Sequence, residues 1–300
     1  MSMNILLTGG TGFIGNHLVK MLLDQGHKVR ILTRDKEVQK PFYTWTDKDI
    51  DKRVFDDLDG IIHLAGAPLM SYWTSSYKKQ IIDSRVNTAN LLLEKIKEHQ
   101  VPLKFFISAA GSSYYGQVSS NRFFKEEDKS GKDFLADVCV RWENAAFQFE
   151  ELGARVVCVR TPLVLGKNAE ALKLMKFPTQ FGLGASLGNG KQASPWIHVE
   201  DLCRVYLKAV EDEVMAGSYN AAVSEKLTHQ QFMQHLAKGL KKPLFLPNIP
   251  SFAVKLAMGE KAVIVLEGSF LDNEKLLSTG FKFNYPTLDD ALRELLEYNS

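Results

Sequence analysis

A chain of 300 residues, 45% hydrophobic and 24% charged, is long enough for one large α/β core with a smaller appended lobe, and too apolar to be read as disordered. Its 37 Lys and Arg nearly balance 35 Asp and Glu, for a formal charge of +2; with no dense basic run, nucleic-acid binding is excluded and a small-molecule ligand is expected. Cys139, Cys158 and Cys203 are far apart and form no CxxC pair, which speaks against a disulfide framework or a metal site. The N-terminus runs from a short apolar stretch straight into glycines, and no apolar stretch is long enough to span a bilayer, so a cytoplasmic protein without a membrane partner is expected.

From residue 4 to about 166, short apolar runs alternate with longer amphipathic ones, the pattern of parallel βαβ units. The spacing predicts strands at Asn4–Leu7, Lys28–Leu32, Gly60–Leu64, Lys104–Ser108 and Arg155–Val159, each apolar enough to be buried on both faces. Helices are predicted at Ile14–Gln25, Ser76–Gln100 and Asp133–Leu152. Between Arg34 and Asp59 the third strand and its crossover look abbreviated. After Gly166 a glycine-rich stretch, Phe181–Gln192, precedes a short strand at Trp196–Val199 and a helix at Asp201–Glu211, with Asp201 as its cap. Thr228 with Gln231, and Thr287 with Asp290, read as helix starts. Pro243, Pro247 and Pro250 form a turn region leading into a packed helix within Phe252–Leu266. The expected fold is a doubly wound parallel sheet over residues 1–216, with a substrate loop at about 167–193, followed by a smaller α/β substrate lobe over 217–300.

Thr8-Gly9-Gly10-Thr11-Gly12-Phe13-Ile14-Gly15 joins the first strand to the first helix with glycines spaced GxxGxxG. Gly9 permits the tight turn, Gly12 lets backbone amides approach a pyrophosphate, and Gly15 lets the helix pack against the strand, whose partner helix N-terminus favours the phosphate charge. The second strand ends in Thr33-Arg34, where an NAD site would place a carboxylate on the ribose 2′-hydroxyl. Arg34, helped by Thr33, instead suits the 2′-phosphate of NADP, with Asp35 as the competing ribose ligand. Leu64-Ala65-Gly66 empties the third long strand into a loop of small residues that leaves room for the adenosine. His63 reads more readily as a satisfied sheet residue than as a base. Arg85 is a candidate cofactor ligand from the following helix, or a surface ion pair.

With Ser108 through Tyr115-Gly116, Asn87 and Arg160-Thr161-Pro162-Leu163-Val164-Leu165-Gly166 added, the chain resembles the extended short-chain dehydrogenases/reductases. More narrowly it resembles an atypical epimerase family that ends in a C-terminal domain of unknown function. The matching pieces are Tyr114-Tyr115-Gly116, Arg141-Trp142-Glu143, Gly182-Leu183-Gly184, Gly188-Asn189-Gly190, Trp196-Ile197-His198, Gly280-Phe281 and Tyr285-Pro286-Thr287-Leu288. The resemblance implies a sugar-nucleotide-epimerase-like fold with NADP bound beside Val164 and the glycine motif. Its substrates are largely unassigned, and some members carry a cell-division label.

Active members of the superfamily use a Tyr with a Lys four residues later, which lowers the phenol pKa. No Tyr here has that Lys, and counting back from Glu143 puts Leu135 and Cys139 at the two positions. The resemblance implies that the atypical family shares this loss. Substitutes are Ser112 to bond a substrate oxygen, Tyr114 or Tyr115 to supply the phenol, and Arg141 to lower its pKa; alternatively the tyrosines pack a loop and Arg141 faces solvent. Gly182, Gly184, Gly188 and Gly190, with Lys191 and Gln192, suit a substrate pocket or a mobile lid. Trp196 and His198 beside them read more readily as core. Two functions stay open: an NADP(H)-dependent oxidoreductase or epimerase acting by hydride exchange, as a monomer or homodimer, and a non-catalytic NADP-binding regulator.

Overall fold

The apolar runs become strands and the amphipathic ones helices in a computed structural model that describes residues 2–34, 41–46 and 48–296. In chain order these are β1 (Asn4–Thr8), α1 (Phe13–Asp24), β2 (Lys28–Thr33), β3 (Phe42–Thr44), β4 (Gly60–His63), α2 (Ser75–Glu98), β5 (Phe105–Gly111), β6 (Ser120–Phe124), α3 (Phe134–Phe147), β7 (Arg155–Thr161) and β8 (Leu163–Leu165). There follow α4 (Glu170–Gln180), β9 (Trp196–His198), α5 (Val199–Glu211), β10 (Gly217–Asn220), α6 (His229–Gly239), α7 (Ser251–Met258), α8 (Val263–Leu266), β11 (Ser269–Leu271), α9 (Glu274–Ser278) and α10 (Leu288–Leu296).

Seven of these strands form a parallel sheet in the order β3-β2-β1-β4-β5-β7-β10. This is the doubly wound Rossmann fold. The order reverses between β1 and β4, and the crevice at their carboxyl ends is where such sheets hold ligands. Strand periodicity sends alternate residues to opposite layers. Ile5 and Leu7 meet Leu18 and Leu22 of α1 and Leu202 and Tyr206 of α5 on one face. On the other, Leu6, Ile61 and Phe106 meet Leu92 and Ile96 of α2 and Ala145 of α3.

The abbreviated third unit is a three-residue β3 followed by a 3-10 turn, Lys52–Phe55, whose Val54 and Phe55 plug the layer where a crossover helix would pack. The lobe expected from 217 starts later, because Gly217–Asn220 pairs with Val157–Arg160 as the edge of the main sheet. Beyond it α6 and α10 pack on α4 around Phe232, Leu236, Leu292 and Leu172, while β11 pairs with β6. Thr228 and Gln231 form the expected reciprocal cap of α6, and Thr287 Oγ1 accepts from Asp290 N at 3.3 Å. The packed helix expected within Phe252–Leu266 is instead two short helices broken at Gly259, at φ 64°. Val254, Ala262 and Leu266 are buried there, but Phe252 and Leu256 face outward.

Candidate functional site

Backbone contact sets the shape of the crevice. Gly9 sits at φ 71°, and Gly12 N donates to Gly9 O at 3.0 Å. A Cβ on Gly15 would lie 2.2 Å from Gly9 O and 2.7 Å from Gly10 Cα, and one on Gly9 would lie 2.9 Å from Ala65 N. Strand, turn, helix and the loop after β4 are therefore in backbone contact. Gly12 caps α1 with no side-chain bond and no acidic residue lies in the first turn, so the amides of residues 13–15 present a positive end to an anion. Thr11 and Gly12 are on this turn. Phe13 closes one side, where a Cβ on Gly166 would come within 2.5 Å of its ring; Ile14 and Val164 pack against the same core.

His63 is a sheet residue. Its Nδ1 accepts from Thr8 Oγ1 at 2.8 Å, leaving Nε2 to donate to Arg85 O at 3.1 Å, while Thr8 Oγ1 also accepts from Ala65 N at 3.2 Å. Burial lowers its pKa to about 4, so the ring is neutral and holds the Leu64-Ala65-Gly66 loop in place. His229, buried at the start of α6 with Nδ1 accepting from Leu187 N, is likewise lowered to about 4 by burial. In an unfolded chain both titrate near ~6.5. The unfolded state then binds protons that the folded state does not, so the contribution is complete above that value and is lost as pH falls toward about 4. Urea unfolding at pH 7 and pH 5 is expected to show each histidine removing roughly 2 kcal/mol by pH 5, with about half of the loss absent in His229→Gln.

Thr33 is buried at the end of β2 and Arg34 is exposed beside it; Asp35 lies outside the described residues. Arg85 is not the surface ion pair offered as its alternative. It is 7% exposed, with Nη1 donating to Ile81 O at 2.8 Å, Nη2 to Ala67 O at 3.2 Å, and its guanidinium 4.7 Å from the Trp142 ring centroid. Among the described residues its Nε is buried without a partner, and burial lowers the group to about 10. A Cβ on Gly66 would lie 2.8 Å from its Cζ, so this cation sits directly beneath the loop.

The catalytic candidates are rearranged by the structure. Ser112, Tyr114 and Tyr115 lie on a 3-10 turn, Ser112–Tyr115, after β5. Tyr115 is 2% exposed; its hydroxyl donates to Asn220 Oδ1 at 2.7 Å and accepts from Arg160 Nη1 at 2.8 Å. Burial raises its pKa above the usual phenol range, and its two hydrogen bonds join the turn to β7 and β10. The guanidinium beside both rings belongs to Arg160, 3.5 Å from the Tyr114 centroid. Arg160 also clasps Glu143 in bidentate fashion, Nε to Oε1 at 2.7 Å and Nη2 to Oε2 at 2.9 Å, and Ser218 Oγ donates to the same carboxylate at 3.0 Å. Arg141, expected to lower the phenol pKa, points to solvent and pairs with Asp137 one turn back. Ser112 and Tyr114 remain half-buried on the turn. Leu135 and Cys139 are buried; a Cβ on Gly111 would lie 3.0 Å from the Cys139 thiol, which burial pushes up to about 12.

The glycine-rich loop is tied by hydrogen bonds to the segments that follow it. Gly182, Gly188 and Gly190 take positive φ, and Gly184 packs on Thr179. Ile249 N donates to Ser186 O, Gly188 N to Ile249 O, and Gln230 N to Gly190 O. Gln192 is buried and donates to Leu187 O and Val265 O, while Lys191 is exposed. Trp196 is core and His198 caps α5. Asp201, expected to be that cap, instead accepts Asn284 N and Tyr285 N at 2.8 and 2.9 Å, tying the C-terminal segment to α5. Across the crevice Lys261 Nζ donates to Met70 O at 2.6 Å, and Lys78 pairs with Glu260.

The pattern of the NAD dependent epimerase/dehydratase family matches residues 5–222, and that of a domain of unknown function, DUF1731, matches residues 249–295. An epimerase family protein of Staphylococcus saprophyticus is 35% identical over 97% of this chain and 98% of its own. The human epimerase family protein SDR39U1, solved with NADPH, superposes at a TM-score of 0.86 with 29% identity, covering 98% of this chain and 99% of that one. A nucleoside-diphosphate sugar epimerase from Corynebacterium glutamicum superposes at 0.82 with 27% identity, over 98% of this chain and 58% of the longer neighbour.

Proposed function

We propose that this chain, which belongs to the NAD-dependent epimerase/dehydratase family of extended short-chain dehydrogenases/reductases, binds NADP(H) in the crevice and exchanges hydride with a carbon of a small substrate of the sugar-nucleotide class. The observation that carries this reading is the glycine turn. Its backbone atoms leave no room for a Cβ at Gly9 or Gly15, and it ends in a helix terminus open to a diphosphate. Gly10, Thr11, Gly12, Phe13 and Ile14 would hold that diphosphate, Leu64, Ala65 and Gly66 the adenosine and ribose, and Thr33 with Arg34 the 2′-phosphate. The unpaired Arg85 Nε beneath Gly66 supplies a fixed positive charge from below. When bound, the nicotinamide supplies the hydride chemistry. Ser112 and Tyr114, on the half-buried turn, are the groups left to orient a substrate oxygen. The sheet through β10 serves the nucleotide, and the segment after it, with the pinned loop of residues 181–192, walls the substrate side.

Parallel calorimetric titrations with NADPH and NADH test the cofactor. NADPH is expected to bind more tightly by about 10- to 100-fold, the worth of a charge-assisted phosphate contact, and Arg34→Ala to erase the difference. Equal binding of the two nucleotides would remove the basis of the assignment to NADP.

One observation favours a second reading. The positions of the usual Tyr and Lys hold buried Leu135 and Cys139, and Tyr115 is locked to Arg160 and Asn220. A protein that binds NADP(H) without turnover, as a regulator such as the cell-division label of some relatives suggests, would have this form. Oxidation of bound NADPH on addition of carbonyl or sugar-nucleotide substrates separates the two, since a regulator leaves its absorbance unchanged.

A further inference from the structure

Two stretches stand apart from the near-neutral chain. Residues 171–199 and 226–259 contain eight Lys and no Asp, Glu or Arg, against a formal charge of +2 for the whole protein; the exposed Glu170 opens α4 just before the first stretch, and Lys238 pairs with Asp289 of α10. They also carry a concentration of outward-facing apolar side chains. Phe177 is 67% exposed, Phe245 70%, Phe252 74% and Leu256 86%, joined by Leu174 and Phe181. The two stretches are neighbours in space. α4 and α6 share a core through Leu172, Phe232 and Leu236, a Cβ on Gly184 would touch Leu244, and residues 186–188 hydrogen-bond to Ile249. The cations interleave with the apolar groups: Lys173 and Lys176 beside Leu174 and Phe177, Lys241 and Lys242 before Phe245, and Lys255 between Phe252 and Leu256.

We infer that this face of α4, the 181–183 loop tip, residues 241–249 and α7 docks on the surface of an anionic phospholipid bilayer. Aromatic and aliphatic groups that protrude from helices and turns insert among headgroups and acyl chains, while flanking Lys side chains extend to lipid phosphates. Each Lys near such a surface adds a modest attraction that salt screens. Glu170 is the acidic residue at the edge of the shallow α4 groove, while Lys173, Lys241, Lys242 and Lys255 stand among the exposed apolar side chains, a balance that suits a negative surface. Among the described residues no helix is long and apolar enough to cross a membrane. Interfacial docking needs none, so the expectation of no membrane partner, drawn from the lack of a spanning segment, does not bear on it.

Sedimentation of the full chain with sucrose-loaded vesicles tests the docking face. Vesicles of phosphatidylcholine with about 30% phosphatidylglycerol are expected to carry the protein down at about 50 mM salt and to release it at about 0.5 M, with little binding to phosphatidylcholine alone. Lys241→Glu/Lys242→Glu is expected to lower partitioning about thirtyfold or more, at roughly fivefold per cation removed. Phe177→Ser/Phe252→Ser is expected to abolish it with an unchanged melting temperature, because both rings are solvent-facing. No binding to the anionic vesicles, or binding by both variants as strong as that of the wild type, overturns the inference. So does a wild-type dimer that Phe177→Ser/Phe252→Ser converts to monomer in sedimentation velocity, which would assign the face to a second copy.

Discussion

Gly15→Ala is expected to weaken NADPH binding by about 100-fold or more, measured by calorimetric titration. The added Cβ would stand 2.2 Å from Gly9 O and 2.7 Å from Gly10 Cα. Both are backbone atoms, and the turn that contains them is itself in contact with Ala65 on the far side, so the helix must yield. Moving α1 outward takes the amides of residues 13–15 away from the diphosphate, and each charge-assisted bond lost there is worth roughly 1.5–3 kcal/mol. Overpacking would add about 1–3 kcal/mol of destabilisation, read in the urea midpoint. Gly26→Ala is the control. Gly26 has φ 82°, but a Cβ there would meet nothing within 4 Å, so the change is expected to lower stability by about 1 kcal/mol through backbone strain alone and to leave the affinity intact. If both variants bind NADPH like the parent, the glycine turn is not the nucleotide cradle.

Where the fold and the candidate site rest on local chain geometry, they were legible in the sequence. The strand, GxxGxxG and helix are consecutive, so spacing alone specifies the turn from Thr8 to Gly15, and the alternation of apolar and amphipathic runs specifies the doubly wound sheet. The abbreviated stretch before β4 was visible as missing periodicity. Tertiary pairing was harder to read. Arg160 meets Tyr115 across 45 residues and Tyr115 meets Asn220 across 105, distances over which a sequence carries no register. The available signal was charge in an apolar context: Arg160 among the apolar residues of Arg155–Thr161 and a Glu on the buried side of α3 must find partners, because unpaired buried charge is strongly disfavoured. Arg141 drew attention instead, although its spacing four residues after Asp137 marks an ordinary exposed helix pair. Phe252 and Leu256 misled in the opposite sense. An apolar run reads as core by composition, and only the break at Gly259 and the packing of Val254 reveal that its other side faces outward.

Arg160→Met is expected to destabilise the fold by about 3–5 kcal/mol in urea unfolding, since it leaves the Glu143 carboxylate buried with Ser218 as its one remaining hydrogen-bond donor among the described residues. The same change removes the donors to the Tyr115 hydroxyl and to Glu126 O, and so loosens the contact between β7, the turn after β5 and the chain leading to α3. Glu143→Leu/Arg160→Met is expected to recover much of the loss, because removing both charges leaves neither ion uncompensated. Arg141→Ala, by contrast, breaks a solvent-exposed pair and is expected to change stability by no more than about 0.5 kcal/mol. The comparison decides what Tyr115 is for. A large effect at Arg160 with none at Arg141 makes Tyr115 a member of a structural network, and Tyr115→Phe should then lower stability by about 1–2 kcal/mol while leaving nucleotide affinity unchanged. If Arg160→Met is as mild as Arg141→Ala, the network is not what holds this corner, and the Tyr115 phenol returns as a candidate acid with Arg160 in the place of the missing Lys.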